Sequence, residues 1–320
     1  MTTHADRGMA ADATLLHVGD PARGEIWQAL LPSLVPGLQV RQWPDIGDPA
    51  NVRYVAAWQP PSTLFRDLPA LDLIFSVGAG TDHIDTTALP ADVPLIRMIE
   101  PGLTQGMVEY ATFAVLALHR GILGHIARQR QALWVKNPVM PAAHRRVGIL
   151  GLGAIGSAIA TRLATFGFPV TGYSRSPHRV DGITSVAGTD ALPGFLAATD
   201  ILICVLPLTP ATHHFINADL LAMLPVGASI VNIGRGGHLD EAALRASLDA
   251  GHIAGAVLDV AEQEPPPPDH WFWADPRILL TPHIAGTTDP AGAAAVIADT
   301  IRRYRTGEPL VGVVDPARGY

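Results

Sequence analysis

The sequence is poor in cysteine, in charged residues and in aromatic residues. Its single cysteine, Cys204, excludes a disulfide within the chain. Only 16% of the 320 residues are charged and 6% are aromatic, while 48% are hydrophobic, which indicates large buried cores. No apolar run approaches the ~18 residues of a membrane span, and residues 1–14 lack the pattern of a secretion signal. We therefore expect a cytoplasmic protein with no membrane partner.

An excess of positive charge is also missing. The formal net charge is −7, which argues against a nucleic-acid partner, so any anionic ligand must meet local basic residues. Cys204 lies in the apolar run 201–206, which is typical of a core strand. We interpret it as a packed thiol rather than a nucleophile.

A glycine-rich turn is the most informative feature that is present. The apolar run 147–150 leads into Gly-x-Gly-x-x-Gly and then into a helical pattern, which is the order of a dinucleotide-binding turn. Gly151 allows the tight turn, Gly153 lets backbone approach a pyrophosphate, and Gly156 lets helix and strand pack closely. The predicted cofactor-binding residues of this turn are Gly151, Leu152, Gly153, Ala154, Ile155 and Gly156.

The next predicted strand, 169–176, indicates which dinucleotide is bound. Enzymes that choose NAD usually end this strand in an acid that binds the ribose hydroxyls. This chain has Ser174, Arg175 and Ser176 instead, and a guanidinium flanked by hydroxyls suits the 2′-phosphate of NADP. NADPH is therefore predicted as the preferred cofactor and NADH as a usable one, the alternative being that Arg175 is a solvated surface arginine.

Apolar strands alternate with helices along the chain, which predicts an α/β fold with parallel sheets. Before Arg146 the predicted strands are 15–18, 54–58 and 73–77, with a helix at 25–31; after it they are 147–150, 169–176, 200–206, 229–233, 256–259 and 278–280, with a helix at 240–250. A long helical stretch is predicted over 107–132 and a last helix over 289–305. The first of these is apolar on nearly every side around 107–118, so it is either buried in one domain or sandwiched in a dimer, which we favour.

Three charged residues follow three successive apolar strands, where open parallel sheets place their active sites. They are Arg235, Glu264 and His283. An arginine in a glycine-rich turn or a single histidine is commonly structural, but three such residues can converge near a nicotinamide. The strand-end residues Leu206, Pro207, Ile233 and Asp259 are predicted to border the cofactor, although packing alone would explain Leu206 and Pro207.

With these motifs the chain resembles the D-isomer-specific 2-hydroxyacid dehydrogenases, and within them the glyoxylate/hydroxypyruvate reductase A group. The likeness is carried by seven segments: 151–156, 232–236, 259–265, 281–283, 78–82, 58–61 and 314–320. The resemblance implies two Rossmann-like domains, a substrate domain of residues 1–105 plus 287–320 and a dinucleotide-binding domain, 106–286, inserted into it. It also implies a homodimer joined through the inserted domain, and a catalytic triad of Arg235, Glu264 and His283.

The residue types suit reduction of a small 2-keto acid such as glyoxylate or hydroxypyruvate. Arg235 can bind the substrate carboxylate and polarise the carbonyl group, and His283 can protonate the forming alkoxide while Glu264 holds the imidazolium. Backbone N–H groups of a glycine loop can bind the remaining carboxylate oxygen. That loop consists of Val77, Gly78, Ala79 and Gly80.

Several alternatives stay open. The substrate can be phosphite, formate or a bulkier keto acid, and a dinucleotide-sensing, corepressor-like protein has the same fold and triad. Trp134, Trp271 and Trp273 are candidate pocket residues, with core or interface packing as the alternative for Trp134, and Met107 either packs on the nicotinamide or fills the core. No metal site is predicted, because the adjacent His213 and His214 lack the spacing and companions of a zinc site.

Overall fold

The chain forms two compact units, described here from a computed structural model that covers residues 13–78, 80–98, 100–138 and 140–315. One unit lies within Met1–Leu103 and Thr288–Tyr320, and the other is Thr104–Thr287. We call them the outer unit and the inserted unit. The inserted unit interrupts the sequence of the outer one. Their assignment to substrate and cofactor binding stays a prediction.

The outer unit is built on a parallel five-stranded sheet. Its strands are β1 (Ala13–Val18), β2 (Leu38–Gln42), β3 (Val52–Ala57), β4 (Leu73–Ser76) and β5 (Leu95–Ile96), in the spatial order β2-β1-β3-β4-β5. Helices α1 (Pro21–Leu34) and α8 (Pro290–Thr306) pack on each other, and buried side chains of both belong to the same core as β1. The N–H group of the Trp27 indole donates to the Pro290 carbonyl at 2.8 Å, which ties the unit's two chain segments together.

The inserted unit is built on a parallel seven-stranded sheet. Its strands are β6 (Val147–Leu150), β7 (Val170–Ser174), β8 (Thr184–Ala187), β9 (Ile201–Cys204), β10 (Ala228–Asn232), β11 (Ile253–Leu258) and β12 (Ile278–Leu280). The spatial order is β12-β11-β10-β9-β6-β7-β8, so the direction of winding reverses between β6 and β9. Every residue of β6, β9 and β10 is buried, as expected for apolar strands covered on both faces. In such sheets ligands bind beyond the carboxyl ends of the strands at the reversal.

The described residues between β5 and β12 also form six α-helices: α2 (Pro101–His119), α3 (Ile122–Arg130), α4 (Ala154–Ala164), α5 (Leu192–Ala197), α6 (Ala218–Met223) and α7 (Glu241–Asp249). Asp240 caps α7, its carboxylate accepting from the Ala243 amide at 2.9 Å. None of the helices within the described ranges is both long and apolar enough to cross a membrane.

The predicted α/β fold with two parallel sheets is confirmed, but one predicted helix is wrong. The stretch 107–132 is not continuous, because Gly121 has a left-handed backbone with φ of 65° and separates α2 from α3. The helix predicted at 25–31 is also too short, since α1 begins at Pro21, behind its cap Asp20. Strands β2, β5 and β8 were not predicted.

Candidate functional site

The glycine turn after β6 has the local geometry that a dinucleotide requires. Gly151 has φ of 103°, a conformation that favours glycine, and its amide donates to the Tyr173 carbonyl at 2.9 Å. A Cβ at Gly156 would collide with the Gly151 carbonyl, which fixes glycine there. A Cβ at Gly153 would meet no atom within 4 Å, so the backbone is open to a ligand just before α4 begins. These features fit a pyrophosphate at the α4 N-terminus.

The other predicted residues of the turn differ in exposure. Leu152 is buried against the sheet, whereas Ala154 is exposed and Ile155 is half-buried. The turn lies beside the loop after β9, because the Gly151 Cβ position is 3.4 Å from the Leu206 side chain. The winding reversal of the sheet therefore brings both predicted cofactor segments together.

The segment after β7 is exposed, as binding of a ribose phosphate requires. Arg175 and Ser176 are exposed and Ser174 is half-buried. The Ser174 hydroxyl donates to the Ser176 carbonyl at 2.7 Å, which leaves its oxygen able to accept a further hydrogen bond. The three residues stay predicted contacts of the 2′-phosphate.

The remaining predicted cofactor residues end neighbouring strands of the inserted unit. Leu206 and Pro207 are half-buried, and Thr212 donates to the Pro207 carbonyl at 2.6 Å. Ile233 is buried, and its amide donates to the Cys204 carbonyl at 3.3 Å. Their contact with a cofactor stays a prediction.

Arg235 lies in a tight turn after β10 that its neighbours hold from both sides. The Asn232 side-chain amide donates to the Arg235 carbonyl at 2.9 Å, and the Arg235 amide donates to Nδ1 of His238 at 3.0 Å. Gly236 is packed so closely on the Ala261–Glu262 backbone that a Cβ would overlap it. This contact joins the turn of Arg235 to the segment that carries Glu264.

Glu264 and His283 form a hydrogen-bonded pair. Nδ1 of His283 lies 2.8 Å from Oε2 of Glu264, and the Ala261 amide donates to Oε1 at 3.2 Å. Partial burial alone would raise the pKa of Glu264, but the hydrogen bond and charge of His283, the Ala261 amide and the charge of Arg235 together lower it. The carboxylate therefore stays ionised beside the imidazole.

Asp259 holds the backbone on which His283 stands. Its carboxylate accepts hydrogen bonds from the amides of Ile284 and Ala285, at 2.9 and 2.8 Å, and from the hydroxyl of Thr281. His283 itself has φ of 54°, a strained value for a residue with a side chain. Asp259 is almost fully buried, so the structure gives this predicted cofactor residue a clear role in shaping the loop.

Tyr110 on α2 extends this network. Its hydroxyl is hydrogen-bonded to Oγ1 of Thr281, whose single proton already goes to Asp259, so Tyr110 is the donor. Burial, together with the charge of Asp259, raises the pKa of Tyr110 to about 12. Tyr110 thus stays protonated at neutral pH.

In the outer unit, the predicted substrate loop is already partly hydrogen-bonded. The Val77 amide donates to the Ala57 carbonyl at 3.2 Å, and the Gly78 amide donates to Oγ of Ser76 at 3.3 Å. The Ser76 hydroxyl also lies 2.6 Å from the Gly80 carbonyl. Ala79 lies outside the described residues. A role in substrate binding stays a prediction, and it now falls chiefly on the Gly80 end of the loop.

Known proteins resemble this chain over nearly its whole length. The family model for the NAD binding domain of D-isomer specific 2-hydroxyacid dehydrogenases matches residues 112–285. A glyoxylate/hydroxypyruvate reductase A of Yersinia enterocolitica is 40% identical over 302 residues, which cover 92% of this chain and 96% of that protein. The chain is a D-isomer-specific 2-hydroxyacid dehydrogenase. It is therefore an oxidoreductase, as the resemblance of its motifs predicts.

Solved structures of other D-isomer-specific 2-hydroxyacid dehydrogenases agree with the fold. One from Xanthobacter autotrophicus, in complex with NADPH and MES, is 42% identical with a TM-score of 0.92, over 97% of this chain and 100% of that one. An NADPH-dependent glyoxylate/hydroxypyruvate reductase from Sinorhizobium meliloti, in complex with NADP and sulfate, is 34% identical with a TM-score of 0.90, over 97% and 100%.

The remaining sequence candidates have different surroundings in this dehydrogenase. Trp134 is 95% exposed, which excludes core packing within one chain. Trp271 packs against the core of the inserted unit, and the indole of Trp273 donates to the Pro267 carbonyl at 2.9 Å. Met107 is buried, which suits a core position. Burial raises the pKa of Cys204 to about 12, against a weaker opposing effect of the Leu206 backbone, so the packed-thiol interpretation is confirmed.

Three features of this dehydrogenase escape the sequence argument. In the outer unit, Trp58 stacks on His83 with ring centroids 3.9 Å apart and lies 3.3 Å from the Gly78 Cβ position, so it borders the predicted substrate loop. The segment 58–61, which carries part of the family resemblance, was the signal in the sequence for Trp58. Tyr110 is marked by no local motif. The third is Glu262, which lies 3.0 Å from His214 and supplies a companion for the adjacent histidines that no local pattern predicts.

Proposed function

We propose that this chain reduces small 2-keto acids, glyoxylate or hydroxypyruvate among them, to 2-hydroxy acids with NADPH as the reductant. The observation that carries the proposal is the His283–Glu264 pair at 2.8 Å, in the same unit as the glycine turn and within reach of the charge of Arg235. The names of the curated relatives support the substrate class. The solved relatives that contain NADPH or NADP support the cofactor.

NADPH, when bound, supplies a hydride to the carbonyl carbon of the substrate. The residues that would hold it are those of the glycine turn, with the pyrophosphate at the N-terminus of α4. Arg175, Ser174 and Ser176 would bind the 2′-phosphate. The inserted unit is thereby the cofactor domain and the outer unit is the substrate domain.

Arg235 binds and orients the substrate. Its guanidinium pairs with the carboxylate of the keto acid and polarises the neighbouring carbonyl, so the carbonyl carbon becomes more electrophilic. A role of the glycine loop, residues 77–80, in holding the second carboxylate oxygen stays a prediction. The tight turn around Arg235 fixes its backbone through Asn232 and His238, which limits the orientations open to its side chain.

His283 supplies the proton. As negative charge develops on the carbonyl oxygen, Nε2 of His283 would give its proton to that oxygen, which would leave a hydroxyl and a neutral imidazole. Glu264 accepts from Nδ1 and favours the charged ring before the transfer. One hydride and one proton add across the C=O bond, and the imidazole is reprotonated from solvent.

The test is turnover with a panel of substrates. For reduction, purified protein is mixed with NADPH or NADH and with glyoxylate, hydroxypyruvate or a bulkier 2-keto acid. For oxidation, it is mixed with NADP or NAD and with phosphite or formate. The absorbance of the reduced nicotinamide is followed in both assays. We expect the highest kcat/KM with NADPH and a small keto acid. If only phosphite, formate or bulky acids are turned over, the proposed substrate class is wrong. Tight NADPH binding with no turnover would favour a dinucleotide-sensing protein.

The functional assembly in this proposal is a homodimer joined through the inserted unit. Phe113 on α2 is 50% exposed although its neighbours Ala111, Ala114 and Val115 are buried. It lines a mainly apolar groove of about 800 Å³ together with Val108 and Leu116. Farther along, Leu133, Trp134 and Val135 are exposed in succession. Exposed apolar surface of this extent is typical of an interface.

A further inference from the structure

His213, His214 and Glu262 bring three metal-ligating side chains together on the inserted unit. One ligand atom from each side chain lies within 4.8 Å of the other two. The closest pair is Nε2 of His214 and Oε1 of Glu262, at 3.0 Å, and the rings of His213 and His214 stack with centroids 4.1 Å apart. None of the three belongs to the proposed catalytic or cofactor residues.

The spacing matches what a transition metal needs. Zinc binds imidazole nitrogen and carboxylate oxygen at about 2.0–2.2 Å, so neighbouring ligand atoms of a tetrahedral site lie roughly 3.3 Å apart. The His214–Glu262 pair is already near that distance, and small side-chain rotations bring in His213 from 4.8 Å or less. Two nitrogens and one oxygen leave a fourth position for water, as in many three-ligand zinc sites.

The backbone around the three side chains is well fixed. The amide of His213 donates to the Thr209 carbonyl at 2.9 Å, and that of His214 to the Gly237 carbonyl at 2.7 Å. The amide of Glu262 donates to Oε1 of Glu241 at 2.9 Å. A site on such anchored segments binds metal with little loss of backbone freedom.

We propose that His213, His214 and Glu262 form a binding site for a divalent transition metal ion, with zinc preferred. Imidazole and carboxylate ligands favour zinc, cobalt and nickel over magnesium and calcium, which select oxygen-only ligand sets. The ion links the loop after Pro207 to the segment that precedes Glu264. This site is separate from the reduction chemistry and does not depend on the proposed function.

The experiment is calorimetric titration of the full chain, freed of metal and without a histidine tag, with zinc chloride at neutral pH. We expect one saturable equivalent per chain and a higher Tm in the presence of zinc. Cobalt(II) bound at the same site gives visible absorption bands that report its coordination geometry. His214→Gln and Glu262→Gln should each weaken zinc binding at least about 100-fold, which exceeds the usual loss from removing an outer-shell partner.

The matched control is His270→Gln. His270 also lies 3.0 Å from a glutamate, Glu241, but no second histidine accompanies that pair among the residues that the structure describes. We expect this variant to bind zinc like the parent. Two results overturn the proposal. One is that Glu262→Gln binds zinc as tightly as the parent, and the other is that the parent shows no saturable binding at zinc concentrations up to roughly 100 μM. Glu262 is exposed, so its variant is expected to fold even if His214→Gln does not.

Discussion

Arg175 stands just after β7, at the position that separates NADP from NAD in dinucleotide-binding folds. Replacing it by aspartate puts a negative charge where a 2′-phosphate would bind. We expect Arg175→Asp to lower kcat/KM with NADPH relative to NADH by roughly 10- to 100-fold, the range for a lost charged hydrogen bond. Steady-state kinetics with both cofactors measures the ratio.

The matched control for this prediction is Arg179→Asp. Arg179 is an exposed arginine on the same loop, 3.5 Å from Asp181. Its replacement should leave the cofactor ratio unchanged. If both variants keep the parental ratio, the phosphate is bound elsewhere.

The Glu264–His283 pair predicts a change in the pH profile. Glu264 has a lowered pKa, so its carboxylate is charged throughout the neutral range and loses its charge only on acidification through that lowered value. Glu264→Gln removes this charge while keeping the size of the side chain. Because glutamine cannot be protonated in this range, the fall of kcat on acidification through the lowered pKa of Glu264 should be absent from the variant, with KM for NADPH little changed.

The loss of kcat in His283→Ala sets an upper limit for the loss in Glu264→Gln. General acid catalysis predicts that His283→Ala lowers kcat by roughly 10²–10⁴-fold. Glu264→Gln should lose less, because the imidazole of His283 is still present. Glu241→Gln is the control, since Glu241 pairs with His270 at 3.0 Å without belonging to the triad. An unchanged acidic limb in Glu264→Gln would exclude Glu264 as the carboxylate that acts on His283.

At this scale a local pattern was sufficient to predict that Glu264 and His283 meet. Arg235, Glu264 and His283 each follow an apolar strand within a few residues, and parallel strands present their carboxyl ends on one edge. Glu262 and His214 are 48 positions apart, in the loops after β11 and β9. They meet only because these two strands lie on either side of β10 in the sheet. The hydrogen bond of the Val77 amide likewise depends on strand pairing that no local pattern contains.

At the scale of elements, α2 supports the loop that carries His283, the proposed proton donor, through one hydroxyl group. Tyr110 donates to Thr281, which donates to Asp259, and the Asp259 carboxylate accepts from the two amides that directly follow the strained residue His283. Tyr110→Phe should therefore lower kcat severalfold and alter its pH dependence, because His283 is held less firmly, while KM for NADPH stays near the parental value.

Tyr173→Phe is the control for that prediction. Tyr173 is also a buried tyrosine of the inserted unit, whose pKa is raised by burial, and it lies in the sheet core against Phe195. Its loss of a hydroxyl should leave the pH profile unchanged. A parental profile in Tyr110→Phe, with only a lower Tm, would reduce Tyr110 to a packing residue.

Strands β6 and β9 meet at the winding reversal, and an ion pair joins the residues just before them. Arg146 binds Asp200 through its backbone amide at 2.8 Å and through its guanidinium at 2.6 and 3.0 Å. Burial alone would raise the pKa of Asp200, but the hydrogen bonds and charge of Arg146 lower it. The pair thus stabilises the fold above the usual carboxyl pKa near 4, and the effect is lost as pH falls through the lowered value.

We therefore expect Asp200→Asn to reduce the free energy of unfolding by about 1.5–3 kcal/mol at neutral pH. The difference from the parent should shrink as the pH falls below 4. Urea unfolding at several pH values measures both. The control Asp181→Asn changes an aspartate in an exposed pair and should have no measurable effect. A difference that is independent of pH would assign the loss to packing rather than charge.

Element boundaries were predicted less well than element types. The stretch 107–132 has a helical pattern that predicts no interruption at Gly121. The left-handed backbone of Gly121 nevertheless separates α2 from α3. Strand β5 has two residues and β8 is partly exposed, so neither presents an apolar run of ordinary length. Both are defined by their pairing with β4 and β7, which the sequence does not encode locally.

For the whole molecule, alternation of strands and helices predicted parallel sheets but not the order of their strands. The orders β2-β1-β3-β4-β5 and β12-β11-β10-β9-β6-β7-β8 follow from which edge each new strand joins. Right-handed crossovers limit the choices without fixing one. The reversal beside β6 matters most, because it creates the edge at which the glycine turn meets the loop after β9.

The proposed dimer predicts how the whole molecule responds to a charge on α2. Phe113→Glu places a carboxylate in the apolar groove, and burying that charge against a second copy would be unfavourable. We expect the variant to have half the parental mass by light scattering at micromolar concentration. Its Tm should also be lower, because association with a second subunit stabilises the folded chain.

Val226→Glu is the control for the effect of charge itself. Val226 is a 79% exposed apolar residue of the inserted unit that does not line the groove. Its replacement should leave the mass unchanged. If Phe113→Glu keeps the parental mass, the groove on α2 is not the interface, and the exposed segment around Trp134 would need another explanation. A monomeric parent would refute the dimer itself, whereas a monomeric variant that keeps its turnover would show that each chain completes its own catalytic site.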